Sequence, residues 1–141
     1  MQIENLVEAA LQARQRAYAP YSRFRVGAAL LASNGQIFPG CNVENASFGV
    51  VVCAERTAGV TAIAAGVRDW QAIAVVLSGG GTPCGICRQF LCEFAPQLTI
   101  ITADADLPGH PRRLYGLEAL LPESFSARDV LGKPTDSEGS A

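Results

Sequence analysis

The chain has 141 residues, a formal net charge of -2 and only 17% charged residues. Because ordinary domains run to roughly 100 to 200 residues, we expect one domain over residues 1–131, followed by a flexible polar tail at 132–141. Soluble domains average about 25% charged residues, so this chain is short of surface charge. That shortage predicts that some apolar surface lies in a subunit interface.

The composition excludes several classes of protein. No run of about 18 apolar residues is present for a membrane span, and the first ten residues lack the basic and apolar regions of a signal peptide. We therefore expect a cytoplasmic protein with no membrane partner. A mildly acidic chain without a Lys/Arg cluster lacks the electrostatic footprint of nucleic-acid binding, so the expected partner is a small molecule. The five cysteines indicate metal binding or thiol chemistry rather than a disulfide framework.

The first half of the chain is predicted to contain two helices and a hairpin. Apolar residues spaced by three and four predict an amphipathic helix over residues 2–17. Asn34-Gly35 is a typical two-residue turn, which predicts a hairpin between strands at 25–32 and 36–41. Residues 50–65 are almost entirely Ala, Val, Thr and Gly, which predicts a helix that is buried on every side.

The second half alternates strands with helical segments. Short apolar runs predict strands at 72–77 and 98–102, and a further strand at 112–115. Between the first two of these, Pro83 is favoured in the first turn of a helix, which we expect to run to Phe94. A short helical turn is expected at 117–121. Strands that alternate with helices after an opening hairpin predict an α/β layered domain with a mixed sheet.

Two cysteine motifs carry the candidate chemistry, and each lies at the predicted start of a helix. Cys84 and Cys87 are three residues apart, so their thiolates share one helical face and can reach one metal ion. Cys53 would supply a third sulfur if the two helix starts meet. Three protein ligands are typical of catalytic zinc, whereas structural zinc is normally closed by four. Glu55, two residues after Cys53, is well placed to shuttle protons.

Spacing and charge indicate roles for the remaining cysteines and the nearby arginines. Cys92 lies about 12 Å along a helix axis from Cys84, whereas zinc holds sulfur at about 2.3 Å, so these two cannot share an ion. Cys41 is expected to be a buried free thiol, although spacing alone leaves open a zinc site closed by it. Arg56 would offset the negative charge of three thiolates on one zinc, and Arg88 would act similarly or be solvated at the surface.

The motif Cys-x-Glu followed by Pro-Cys-x-x-Cys matches the three-cysteine form of the zinc-deaminase signature. Over residues 18–125 the chain resembles the small homotetrameric cytidine deaminases of the cytidine and deoxycytidylate deaminase family. The matching stretches are residues 18–24 (YAPYSRF), 26–29 (VGAA), 40–46 (GCNVENA), 53–58 (CAERTA), 83–89 (PCGICRQ) and 120–125 (LLPESF). Each stretch alone is a weak signal, whereas their combination in one order is specific.

The resemblance implies a fold, a reaction and a site. The fold is a three-layer α/β/α sandwich around a mixed five-stranded sheet, and the assembly is a homotetramer with shared active sites. The reaction is the hydrolytic deamination of cytidine and 2'-deoxycytidine to uridine and 2'-deoxyuridine in pyrimidine salvage. One zinc ion per chain is held by Cys53, Cys84 and Cys87, with Glu55 as the catalytic proton shuttle and Arg56 balancing charge.

The resemblance also implies a set of substrate contacts. Asn42 and Glu44 correspond to residues that hold the ribose hydroxyls, Phe24 to an aromatic residue at the base, and Phe125 to one that reaches a neighbouring subunit's site. The implied substrate-binding residues are Phe24, Asn42, Glu44, Ala46, Phe48, Ala54 and Phe125. The chain departs from the family pattern at Phe48 and Gly49, where Tyr and then Pro or Ser are common, so a phenolic hydroxyl is missing.

Three other functions remain open from the sequence. A deaminase of a modified or antibiotic nucleoside, such as blasticidin S, would use the same zinc chemistry. A thiol redox protein would use Cys84 and Cys87 without zinc and without Cys53 or Glu55. A structural zinc module would need Cys41 as a fourth ligand.

Overall fold

The computed structural model describes residues 2–132. The predicted tail at 132–141 therefore lies outside the described residues, apart from its first residue. In chain order the elements are α1 (Ile3–Arg14), β1 (Gly27–Ala32), β2 (Ile37–Cys41), a 3-10 turn (Phe48–Val50), α2 (Ala54–Ala64), β3 (Trp70–Leu77), α3 (Gly85–Phe94), β4 (Thr99–Asp104), β5 (Arg112–Gly116), α4 (Leu117–Leu120) and α5 (Ala127–Leu131).

The strands within residues 2–132 form one mixed sheet of five, in the order β2-β1-β3-β4-β5. β1 pairs with β2 and β3 in antiparallel fashion, β3 with β4 in parallel, and β4 with β5 in antiparallel fashion. A parallel pair needs a crossover connection, and α3 provides it. The predicted mixed sheet is therefore confirmed, including the hairpin over Asn34-Gly35.

Helices cover both faces of this sheet. Because successive side chains of a strand point to opposite faces, Leu31 of β1 packs in the same cluster as Leu6 of α1, whereas Leu30 packs with Ala58 of α2 and Leu91 of α3. Fully burying a leucine side chain contributes roughly 1.5–3 kcal/mol. The result is the predicted three-layer α/β/α sandwich.

A close contact between α2 and the edge strand β2 positions the start of α2. A Cβ atom at Gly40 would overlap the carbonyl oxygen of Ala54 and the backbone nitrogen of Ala58, so only glycine allows this approach. One turn along, the Thr57 hydroxyl donates to the carbonyl of Cys41 at 2.9 Å. The first turn of α2 is thereby held against the end of β2.

Two expectations about α2 are wrong. The helix begins at Ala54 rather than at residue 50, because Val43 and Val52 exchange two backbone hydrogen bonds of 2.9 Å that keep the segment before Cys53 extended. The helix is also not buried on every side, since Val60 is 49% exposed. An apolar composition does not distinguish a helix inside a monomer from one with an uncovered face.

The other helices differ from the predictions mainly at their ends. α1 ends at Arg14, and α3 begins at Gly85, with Cys84 as its N-cap. α5 was not predicted, although Ser126 and Asp129 form a capping box at its start. Among residues 2–132, none of the helices combines the length and the apolar character needed to cross a membrane.

Candidate active site

Three cysteine sulfurs converge where the starts of α2 and α3 meet. The Sγ atoms of Cys53, Cys84 and Cys87 all lie within 4.8 Å of one another, and those of Cys53 and Cys84 are 3.9 Å apart. Sulfurs around a tetrahedral zinc with bonds of about 2.3 Å are separated by about 3.8 Å. Soft thiolate ligands suit zinc, so this group has the chemistry and the spacing to hold it.

Helix geometry explains why the sulfurs gather at this point. Cys53 is the N-cap residue of α2 and Cys84 is the N-cap residue of α3, both with extended backbone angles, while Cys87 lies in the first turn of α3. A helix N-terminus carries partial positive charge, which favours the thiolate over the thiol. Two such ends therefore point at the same cluster of sulfurs.

The pKa values of these thiols favour a negative charge on Cys53. A hydrogen bond with Cys87 lowers the pKa of Cys53 to about 5, and Arg56 acts in the same direction, whereas burial opposes it. The same hydrogen bond, together with burial, raises the pKa of Cys87. One thiolate is thus stabilised at neutral pH by the protein alone.

Arg56 is the cation beside the sulfurs. Its Nη2 donates to the sulfur of Cys53 at 3.5 Å and to the carbonyl of Val51 at 3.3 Å. Its Nε is buried and has no hydrogen-bond partner among the described residues. A half-buried guanidinium that donates to a cysteine sulfur fits a site whose charge is negative, which is consistent with the charge-balancing role expected for Arg56 from the sequence.

Glu55 is a nearly buried carboxyl group at the second residue of α2, with 4% of its surface exposed. Burial raises its pKa to about 7. A group with a pKa near neutrality can both accept and donate a proton under cellular conditions. The side chain lines the same cavity as Cys53 and Cys84.

That cavity has a volume of about 350 Å³ and opens beside the sulfurs. This is within the size range of small-molecule sites, roughly 300 to 1,000 Å³. Its lining residues are Ser22, Phe24, Val26, Asn42, Glu44, Val51, Cys53, Ala54, Glu55, Leu77, Thr82 and Cys84. Four predicted substrate contacts, Phe24, Asn42, Glu44 and Ala54, are therefore brought to one cavity with the metal-binding group.

Asn42 and Glu44 also hold the segment that carries Phe24. The Asn42 side chain donates to the Phe24 carbonyl at 2.8 Å and accepts the Val26 N–H at 2.9 Å. Glu44 Oε1 accepts the backbone N–H groups of Tyr21 and Ser22, and Oε2 accepts the Ser22 hydroxyl.

Both side chains keep capacity for further hydrogen bonds. A primary amide has about four hydrogen-bonding sites and a carboxylate about four acceptor sites, of which Asn42 uses two and Glu44 three. The bonds with Ser22, led by that of its hydroxyl, lower the pKa of Glu44. The carboxylate therefore stays charged beside the cavity.

The other predicted substrate contacts lie outside this cavity. Phe48 is 77% exposed and packs edge-on to Tyr21, with ring centroids 6.5 Å apart. It lines a neighbouring cavity of about 280 Å³ that shares Ser22, Glu44 and Val51 with the first. Ala46 is exposed, and Phe125 is 61% exposed on the segment after α4.

Two polar lining residues, Ser22 and Thr82, were missed from the sequence. Ser22 lies within the matched stretch 18–24. The feature that could have identified it is a hydroxyl side chain two positions before the predicted substrate contact Phe24. Thr82 immediately precedes the Pro-Cys-x-x-Cys motif, and its hydroxyl accepts a hydrogen bond from Arg88 at 2.7 Å. Ser22 links Glu44 to Phe24, since its oxygen also accepts the Phe24 N–H at 3.0 Å.

The remaining cysteines stand apart from the metal-binding group. The Cys92 thiol donates to the Ser124 hydroxyl at 3.3 Å, which agrees with the prediction that it cannot share an ion with Cys84. Cys41 is a half-buried free thiol. Within residues 2–132, the group that can hold a metal ion contains only Cys53, Cys84 and Cys87, so a fourth cysteine ligand is not found.

Comparison with known proteins agrees with this geometry. Residues 1–103 match the family model of the cytidine and deoxycytidylate deaminase zinc-binding region. The chain is 46% identical over 132 residues to a cytidine deaminase of Halalkalibacterium halodurans, covering 92% of this chain and 98% of that protein. It is 41% identical over 138 residues to one of Sporosarcina psychrophila, covering 92% and 96%.

A solved structure shares both the fold and much of the sequence. The crystal structure of cytidine deaminase from Burkholderia pseudomallei superimposes with a TM-score of 0.83 at 48% identity, covering 89% of this chain and all of that one. This chain belongs to the cytidine and deoxycytidylate deaminase family, whose zinc-binding region it carries.

Proposed function

We propose that this protein hydrolyses cytidine and 2'-deoxycytidine to uridine and 2'-deoxyuridine, with release of ammonia. The single observation that carries the proposal is the convergence of three cysteine sulfurs and a buried glutamate on one cavity of about 350 Å³. The relatives and the solved structure are named cytidine deaminases, which supports the choice of substrate.

The metal ligands in this proposal are Cys53, Cys84 and Cys87. A zinc ion held there supplies Lewis-acid activation of a water molecule. The chain holds the complementary charges: two helix N-termini and the Arg56 guanidinium stabilise the thiolates. One zinc per chain is expected.

Glu55 is the proton carrier of the reaction. Its carboxylate takes a proton from the attacking water and delivers it to N3 of the pyrimidine ring, while the water oxygen adds to C4. It then passes the water's second proton to the departing amino group, which leaves as ammonia. Low exposure of Glu55 keeps bulk water from competing for these protons.

The polar end of the cavity selects a nucleoside. Asn42 and Glu44 bind the ribose hydroxyls through their remaining donor and acceptor sites, and Phe24 contacts the base. The ionised Glu44 repels a phosphate group, so a free nucleoside is preferred over a nucleotide. Ala54, at the start of α2, lines the same cavity and is a further substrate contact in this proposal. Ala46 and Phe48, which lie outside this cavity, are proposed as further substrate contacts, and Phe48 lines the neighbouring cavity of about 280 Å³.

The alternative functions have less support. A thiol redox protein would not need Cys53 and Glu55 beside its cysteine pair, and a structural zinc site would need a fourth ligand near the three sulfurs. An antibiotic nucleoside deaminase would use the same centre, but hydroxyl-binding groups such as Asn42 and Glu44 favour a nucleoside with free sugar hydroxyls.

We include a homotetramer, a cytoplasmic location and a role in pyrimidine salvage in the proposal. Exposed apolar side chains, among them Phe48, Val60, Ile86 and Phe125, support burial between copies. Phe125 would then complete a neighbour's site. Five free cysteines are compatible with a reducing compartment.

The direct test is the loss of cytidine ultraviolet absorbance with the purified protein. Activity should disappear when a chelator removes zinc and return when zinc is added back, with one zinc per chain by metal analysis. Blasticidin S and deoxycytidine monophosphate serve as competing substrates. Deamination of blasticidin S without deamination of cytidine would replace the proposed substrate, and zinc content without any deamination would favour a structural site.

A further inference from the structure

Arg88, one turn after Cys84, makes a three-way set of hydrogen bonds that does not involve the sulfurs. Its Nε donates to the Pro83 carbonyl, its Nη1 to the Leu120 carbonyl and its Nη2 to the Thr82 hydroxyl, each at 2.7 Å. Neither role considered from the sequence, charge balance at the metal or solvation at the surface, describes these contacts.

The three acceptors belong to two segments that lie far apart in the sequence, Thr82–Pro83 and Leu120. Thr82 and Pro83 form the short segment that leads into Cys84, and Thr82 lines the catalytic cavity. Leu120 ends α4, which leads to the segment bearing Phe125. The guanidinium therefore joins the rim of the cavity, on the chain just before a metal ligand, to the segment beyond α4.

Helix stability does not account for this placement. Arg88 lies in the first turns of α3, where its positive charge opposes the helix dipole. Charge-assisted hydrogen bonds from a planar guanidinium are strong and directional, so the net effect is to fix the position of the acceptors. Two further contacts of α3 reinforce the same segment, because Gln89 Nε2 donates to the Phe125 carbonyl at 2.8 Å and Cys92 donates to Ser124.

We propose that Arg88 is a positioning residue of the active site, which fixes the Thr82–Pro83 rim and thus the approach of Cys84 to the metal. This inference rests on the proposed deaminase function. A bound nucleoside base would contact a rim whose location is set by Arg88, and a displacement of that rim would lower the rate of the chemical step more than it weakens binding.

Three variants test this role. Arg88→Lys keeps the charge but cannot reach three acceptors, Arg88→Gln removes the charge, and Arg16→Gln is the matched control, since Arg16 is exposed and makes no side-chain hydrogen bond or ion pair among the described residues. We expect kcat for cytidine to fall roughly 10- to 100-fold in both Arg88 variants, with a smaller change in KM and no change in Arg16→Gln.

The zinc site is measured separately from activity. Transfer of zinc to a chromogenic chelator should be faster in both Arg88 variants than in the wild type, and this readout does not depend on deamination. A wild type that holds zinc but does not deaminate cytidine would remove the proposed function, while the chelator experiment would still decide whether Arg88 positions Cys84.

The outcomes separate positioning from other roles. Normal kcat in Arg88→Lys with a defect in Arg88→Gln would assign Arg88 to charge balance and overturn the proposal. A lower melting temperature with normal kcat and zinc release in both variants would leave only a structural role, which also overturns it. Thr82→Val should couple with Arg88→Lys, so that the double variant loses less than the product of the single losses.

Discussion

The two helices that meet at the sulfurs carry different functional groups in their first turns. α2 contributes one sulfur, the proposed proton carrier and a guanidinium that donates to sulfur, through Cys53, Glu55 and Arg56. α3 contributes two sulfurs and a guanidinium, on Arg88, that donates only to chain oxygens. The arginine near the start of α2 therefore contacts a sulfur, whereas the arginine near the start of α3 connects two segments of the chain.

The largest expected effect comes from breaking the α3 side of the metal-binding group. Cys87→Ser removes a fully buried sulfur and should leave the purified protein without stoichiometric zinc and without measurable deamination, because two thiolates bind zinc far less tightly than three. Metal analysis and the ultraviolet assay measure both effects.

Cys92→Ser is the control for that change. It also replaces a thiol on α3, but its partner is the Ser124 hydroxyl, so zinc content and rate should stay close to wild type. Retention of full zinc by Cys87→Ser would contradict the three-sulfur site.

Breaking the α2 side should separate metal binding from catalysis. Glu55→Gln keeps the shape of the side chain and the three sulfurs, but it cannot carry a proton. We expect one zinc per chain and a loss of kcat of at least roughly 100-fold, as is typical for acid/base catalysis. Glu118→Gln, at an exposed position in α4, is the control. Near-normal turnover in Glu55→Gln would exclude Glu55 as the proton carrier.

The charge on α2 should have a more moderate effect. Arg56→Gln removes the cation that donates to Cys53, and a hydrogen bond to a charged group contributes about 1.5–3 kcal/mol. We expect kcat/KM to fall by about tenfold or more. Zinc affinity, measured by competition with a chelator, should fall as well. Arg56→Lys should recover part of both. Equal losses in the two variants would point to geometry instead of charge.

The smallest expected effect is a shift in pH dependence at the polar end of the cavity. Hydrogen bonds from Ser22 lower the pKa of Glu44, so the charged form persists as the pH falls. Ser22→Ala removes the hydroxyl bond, which raises that pKa, and the carboxylate is then protonated at a higher pH during acidification. The acid-side rise in KM for cytidine should therefore begin at a higher pH.

Profiles of kcat and KM from about pH 4 to about pH 7, spanning the ordinary glutamate value of about 4.3, measure this shift. Ser33→Ala is the control, because its hydroxyl bonds to Asp69 away from the cavity. An unchanged profile in Ser22→Ala would mean that ionisation of Glu44 does not govern sugar binding.

The mixed sheet and the shared helix face of Cys84 and Cys87 were predictable because each depends on local patterns, whereas the three layers and the meeting of Cys53 with that pair were implied by the family resemblance. Alternation and turn residues define the strands, and the spacing of Cys84 and Cys87 places two sulfurs on one helix face. The beginning of α2 was not predictable in this way. It depends on the bridge between Val43 and Val52, a tertiary contact that local composition does not encode.

The contacts of arginine side chains were equally hidden. Arg56 lies three residues after the N-cap Cys53 and Arg88 four residues after the N-cap Cys84, so both fall about one turn into their helices and spacing does not distinguish their roles. Only the folded path of α4 brings the Leu120 carbonyl to Arg88. Long polar side chains choose their partners in three dimensions, so their roles are the least visible from a sequence.

The separation of the metal ligands along the chain has a consequence for folding. Cys53 and Cys84 are 31 residues apart, with β3 between them, so only the folded chain gathers all three sulfurs. A metal that binds the native state better than the unfolded chain stabilises it by mass action. The melting temperature should therefore rise with free zinc, and the supply of this ion would govern how long the protein survives as well as how fast it works.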